Sequence, residues 1–124
     1  MLIYSKKVIQ YFKYPKNMGA MKNFDVQAEK GNAVCGDTTK IYLKINGNKI
    51  KALSFETTGC IAAIATSSII TEMAKGKMLA QAEKISYNDL AKELGGLPVA
   101  KAHCADMAIG ALRKAIEKYK KSNQ

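Results

Sequence analysis

The chain lacks most of the features that mark specialised classes of protein. Its longest uninterrupted aliphatic run is Ile61 to Ala65, far short of the roughly 20 residues that a membrane helix needs. Met1 to Ser5 supplies neither the apolar stretch nor the cleavage site of a secretory leader. Two prolines and nine glycines in 124 residues exclude a collagen-like or low-complexity chain. There is no CxxC, so zinc-ribbon and thioredoxin readings lose their local signature. The three cysteines, Cys35, Cys60 and Cys104, cannot all pair within one chain. Free thiols are therefore expected, which suits a reducing compartment. These absences predict a soluble, cytoplasmic protein with no membrane association.

Arginine is almost absent too. Of 20 basic residues 19 are lysine and one is Arg113, against 10 acidic residues, for a net charge of +10. That balance favours acidic partners. It argues against nucleic-acid readout, which relies on arginine for bidentate base contacts.

What remains is an ordinary core-forming composition, 48% hydrophobic and 24% charged, of a length suited to one domain over residues 1–124. Ser5 is placed to cap a helix running to about Phe12, and Tyr14-Pro15 breaks it. Residues 24 to 34 read as a strand interrupted at Gly31-Asn32. Lys40 to Ile45 alternates, with Ile41, Leu43 and Ile45 on one face. Asn46-Gly47-Asn48 signals a hairpin into Lys49–Thr57, where Ile50 and Leu53 are out of phase and imply a bulge. Cys60 to Lys75 is apolar nearly all round, the pattern of a buried helix. A short turn within Lys77–Lys84 follows, then a helix over Tyr87–Leu94 capped by Ser86 and stopped by Gly95-Gly96. The last helix spans about Ala102 to Lys120, with Ala105, Ala108, Ile109, Leu112, Ala115 and Ile116 in one stripe. The expected fold is α+β: a three-stranded antiparallel meander with about five helices packed mainly on one face.

Each cysteine falls at an element boundary. Cys35 lies in the turn Ala33-Val34-Cys35-Gly36-Asp37, Cys60 where a strand gives way to a helix, and Cys104 in the first turn of the last helix. Any one of them alone reads equally well as a small buried apolar residue. Helix starts and nearby lysines favour thiolate, so Cys60 and Cys104 are expected to ionise more readily than a free thiol. Thiolates bind soft metals and iron–sulfur units. With Asp37 and His103, the set offers four or five donors, and a tetrahedral zinc site built from the same atoms would look identical in sequence. A thiol enzyme with Cys104 as nucleophile and His103 as base is a third reading. It is disfavoured because adjacent residues at a helix start point in different directions.

Four ordered segments resemble the IscU/NifU-type iron–sulfur cluster assembly scaffold family. They are Tyr4-Ser5-Lys6-Lys7-Val8-Ile9 with Pro15-Lys16-Asn17-Met18-Gly19, then Cys35-Gly36-Asp37, then Thr58-Gly59-Cys60-Ile61-Ala62-Ala63-Ile64-Ala65-Thr66-Ser67-Ser68, and finally Lys101-Ala102-His103-Cys104. The resemblance runs from about Tyr4 to Lys120. It implies a scaffold without turnover of its own. Such a protein takes sulfur from a cysteine desulfurase and electrons from a ferredoxin-like donor. It builds a transient 2Fe–2S cluster, or 4Fe–4S by coupling two units, and passes it to apo-proteins. Carried over by motif, Cys35, Cys60 and Cys104 are thiolate ligands, Asp37 the fourth ligand or a labilising neighbour, and His103 an alternative ligand. Cys104 is the leading persulfide acceptor and Cys60 the second. The alternative is a zinc-stabilised structural domain with a Cys3Asp or Cys3His site, and zinc can also fill an empty scaffold site. Both a monomer and a homodimer are compatible with the sequence.

Two departures stand out. Gly31-Asn32-Ala33-Val34 lacks the proline that many members carry before the first cysteine. Leu97-Pro98-Val99-Ala100-Lys101 is not the double-proline segment read by an Hsp70-type chaperone, which argues against a dedicated chaperone partner.

Overall fold

The structure is a computed structural model that describes residues 4–31 and 36–122, so Cys35 lies outside the described residues. Helix α1 (Lys6–Lys13) begins where the sequence places its cap. The Ser5 hydroxyl accepts from the Val8 N–H at 3.1 Å and donates to the carbonyl of Leu94. One side chain thus closes a helix start and ties it to an element 89 residues away.

Strands β1 (Val26–Gly31), β2 (Thr38–Asn46) and β3 (Lys49–Thr58) form the expected antiparallel meander in the order β1-β2-β3. The turn between β2 and β3 places Gly47 at a φ of 67°, a conformation that glycine enters without a Cβ clash. The bulge is present as well. Lys44 pairs with Ala52 but Ile45 pairs with Ile50, which leaves Lys51 unmatched. The extra residue inverts the alternation, so Ile50 and Leu53 are both buried despite their odd spacing. On the outer face, Tyr42 is covered by the Phe24 ring, 5.4 Å away, and donates to Glu56.

Both sheet edges are occupied. Asn17–Gly19 runs parallel to β3 and exchanges backbone bonds with Phe55 at 2.7 and 2.9 Å. Further along the same edge, Ile50 N–H donates to Lys77 and Gly76 N–H donates to Ile50. At the other edge, Lys114 and Lys118 reach down from the last helix and donate to the carbonyls of Glu29 and Gln27. Unpaired strand edges invite other chains, and lysines guard against this.

The inner face carries α2 (Ile61–Ala74) against β3, and α5 (Ala102–Ser122) across β1 and β2. α1 packs on α2, with short α3 (Leu79–Ala82) and α4 (Tyr87–Glu93) closing the gap beside α5. α2 is buried nearly all round, as its sequence requires, and α5 buries the stripe from Ala105 to Ile116. The one element not expected is a 3-10 turn, Val99–Lys101, running straight into α5. Cys104 therefore lies a turn inside helical backbone rather than at its free end.

Because Ser5 serves as both cap and tie, Ser5→Ala is expected to destabilise the fold by about 1–2 kcal/mol, the upper part of the range for a lost cap. A urea melt checks this: the midpoint falls while the slope is unchanged.

Candidate metal centre

Three separate stretches meet at one end of the α2–α5 seam. Asp37 precedes β2, Cys60 is the N-cap residue of α2, and His103 and Cys104 open α5. The Cys60 and Cys104 sulfurs are 4.0 Å apart. His103 Nε2 lies 3.6 Å from Cys104 Sγ. Single ligand atoms of Asp37, His103 and Cys104 all lie within 4.8 Å of one another. Neither Cys60 nor Cys104 is in a disulfide. The structure thus gathers four of the five residues that the sequence singles out. The fifth, Cys35, lies outside the described residues.

Small residues make the convergence possible. Ala62, Ala63, Cys104 and Met107 form a tight apolar cluster roofed by Tyr4, Cys60 and Leu97. Gly59 is equally constrained. A Cβ there would stand 2.8 Å from the Ala63 methyl and 3.0 Å from Asp37 Cγ, closer than side chains tolerate. The missing side chain is the space the Asp37 carboxyl occupies.

The two thiols differ. Burial pushes Cys60 up, but the backbone N–H groups of Ala63 and Ala62, the Lys101 ammonium and the neighbouring Cys104 outweigh it. The net result is a thiol that ionises below its ordinary range. Those N–H groups belong to the first turn of α2, the positive end of the helix. Cys104 goes the other way. Burial comes first, then the charge of Cys60 and its hydrogen bond, then Asp37, and together they raise it to about 12. The expectation that both helix-start thiols ionise easily therefore holds for Cys60 and fails for Cys104, which is 0% exposed. The expectation that adjacent His103 and Cys104 point apart also fails, since their side chains meet. Burial disfavours ionisation of Cys104, so the contact with His103 does not by itself make it an activated nucleophile.

Lys101, three residues before Cys104, has its ammonium held above its usual range, chiefly by Cys60. Tyr4, Leu97 and Gly59 were legible only as parts of motifs, with no sign that they line this pocket.

A model of the NifU-like N-terminal domain family matches residues 3–124. The chain belongs to that family. Among relatives of this NifU-like domain, the iron-sulfur cluster assembly scaffold protein IscU 1 of Archaeoglobus fulgidus is 48% identical over 121 residues, covering 98% of this chain and 79% of its own. The protein of the same description, IscU, from Escherichia coli K12 is 39% identical over 127 residues and covers 99% and 98%. The crystal structure of the N-terminal part of a nitrogen-fixing NifU-like protein from Brucella abortus superposes with a TM-score of 0.78. It covers 94% of each chain at 18% identity, a likeness of fold.

The Lys101 ammonium favours the Cys60 thiolate, so Lys101→Gln raises the pH at which that thiol ionises. At pH 7 less thiolate is then present, and Cys60 alkylation by iodoacetamide is expected to slow by about threefold. The deficit disappears once the pH exceeds the ionisation range of both variants. A rate–pH profile with peptide mapping checks both statements.

Proposed function

We propose that this protein is an iron–sulfur cluster assembly scaffold. The observation that carries the reading is the meeting of two thiols, a carboxylate and an imidazole from three remote stretches. Most permanent iron–sulfur electron carriers hold the cluster with four thiolates. Here oxygen and nitrogen donors share the site, a poorer match for sulfide-rich iron. Asp37 and Cys60 also sit at element ends, where rearrangement costs less than within a strand. Both features suit a cluster that is cargo. The relatives' descriptions as scaffolds support the same reading.

In this reading Cys35, Cys60 and Cys104 supply thiolates, Asp37 is the exchangeable fourth ligand and His103 its alternate. Sulfur arrives as a persulfide on a cysteine desulfurase. A scaffold thiolate attacks the outer sulfur and the desulfurase leaves as thiolate. Cys104 is the acceptor once iron on the Asp37–His103–Cys104 set has displaced its proton, as thiol ligands require. Cys60, the more readily ionised and the less buried of the two thiols, is the acceptor before metal binds. A ferredoxin-like donor supplies electrons, and the 2Fe–2S product passes to apo-proteins or couples to 4Fe–4S. The lysine-rich surface suits acidic partners.

A zinc-stabilised structural domain is the weaker reading. Such domains depend on the metal to fold, whereas this one has an extended apolar core from Val8 to Ile116 that owes nothing to the site. A chelator is expected to leave its melting temperature nearly unchanged.

Anaerobic incubation with a desulfurase, cysteine and ferrous iron should give a visible-absorbing cluster that transfers to apo-ferredoxin. Absence of either step defeats the proposal. Asp37→Ala should lengthen cluster lifetime and slow transfer by roughly tenfold, the effect of about 1.4 kcal/mol on a barrier. Mass spectrometry of each thiol, with and without iron, should find the persulfide on Cys104 and Cys60 respectively.

A further inference from the structure

The inner face of the sheet changes character where it meets the metal centre. Leu43 lies opposite Leu53 and Ile41 opposite Phe55, but the next inward pair is Thr39 opposite Thr57. Thr39 is fully buried, and so is Ser67 on the helix above it. Buried hydroxyls are unfavourable unless bonded, and a valine pair of the same shape would pack at least as well. These hydroxyls are bonded in a continuous chain. Ser67 Oγ is 3.1 Å from Thr39 Oγ1, Thr39 Oγ1 is 3.0 Å from Thr57 Oγ1, and Thr57 donates to the backbone carbonyl of Thr38.

The final acceptor sets the direction of the chain. Thr57 gives its single proton to a carbonyl that cannot donate back. Thr39 must therefore donate to Thr57, and Ser67 to Thr39. Each hydroxyl has one proton, and each is placed. The chain joins the middle of α2, the end of β3 and the first residues of β2. Its last link is the carbonyl of Thr38, the residue immediately after Asp37. On the other side, Gly59 leaves the Asp37 carboxyl room to approach.

We infer that Ser67, Thr39 and Thr57 are positioning residues for Asp37: their hydroxyl chain fixes the start of β2 against α2, and so sets the carboxylate's place relative to the sulfurs. This inference rests on the reading of Asp37 as a ligand. Among the described residues neither Thr39 nor Ser67 is hydrogen-bonded to Asp37, Cys60, His103 or Cys104, so their effect passes through the backbone.

The test uses the metal-free chain titrated anaerobically with cobalt(II), whose thiolate absorption reports binding. Thr39→Val keeps the side-chain volume and removes the hydroxyl. It should weaken cobalt(II) binding by about tenfold, the lower end for loss of an orienting partner. Thr39→Ser keeps the hydroxyl and loses a methyl. It should bind within about twofold of the parent even though it melts at a lower temperature. This crossing of affinity and stability is what a merely structural role would not give. In an Asp37→Ala background Thr39→Val should cost nothing further, because both changes disable one group. Amide exchange over residues 36–39 of the metal-free chain should quicken in Thr39→Val and not in Thr39→Ser. Unchanged cobalt affinity in Thr39→Val, or the same loss with Asp37 absent, overturns the inference. If Asp37→Ala itself binds cobalt(II) like the parent, the reading of Asp37 as a ligand fails. The exchange measurement then decides alone: faster exchange in Thr39→Val upholds the restraint, and unchanged exchange ends it.

Discussion

Everything at the functional end depends on how closely the starts of α2 and α5 approach. Side chains larger than those of Ala62 and Ala63 would hold the helices apart, and the two sulfurs with them. The cost of that closeness is that Cys104 shares an apolar cluster with Met107 and Leu97. Burial and proximity are therefore one constraint. The packing that brings the thiols to 4.0 Å also withdraws one of them from water.

That constraint divides the pair electrostatically. Two thiolates this close in a partly dry pocket repel each other, so the first to ionise suppresses the second. The surroundings decide which goes first. Cys60 has the α2 N–H groups and Lys101; Cys104 has burial and the Asp37 carboxylate. One sulfur is thus the more readily ionised, and ionisation of the other is disfavoured. A metal held by Asp37, His103 and Cys104, as the proposed function requires, would change that order, because its own charge would become the largest there.

The fold was legible where local chemistry decides it. The Ser5 cap, the alternation through Ile41 and Leu43, the Gly47 turn and the bulge implied by Ile50 and Leu53 all follow from short-range rules. So does the meander with helices on one face. The gathering of Asp37, Cys60, His103 and Cys104 was anticipated through motif resemblance; periodicity alone places residues on faces and does not bring remote stretches together. The 3-10 turn before α5 was missed because Pro98 reads as a loop signal and nothing in Val99–Lys101 marks continued helix. That omission put Cys104 at an open helix start and gave it the wrong ionisation. The contact between His103 and Cys104 depends on side-chain rotamers that no spacing rule contains. The hydroxyl chain was invisible for another reason: threonine suits a strand whether it faces solvent or the core.

The two guarded sheet edges have a consequence for how other proteins can engage this one. An extended segment is often captured by adding a strand to an open edge, where main-chain bonds supply affinity with little regard to side chains. Here β3 is already bordered by Asn17–Gly19 and Gly76–Met78, and the outward carbonyls of β1 are bonded to lysines of α5. Strand addition is closed off at these positions. Visitors must instead be told apart by charge and shape at loops and helix faces. Contacts of that kind are short-lived and discriminating, which fits a protein whose partners must arrive, exchange something and leave.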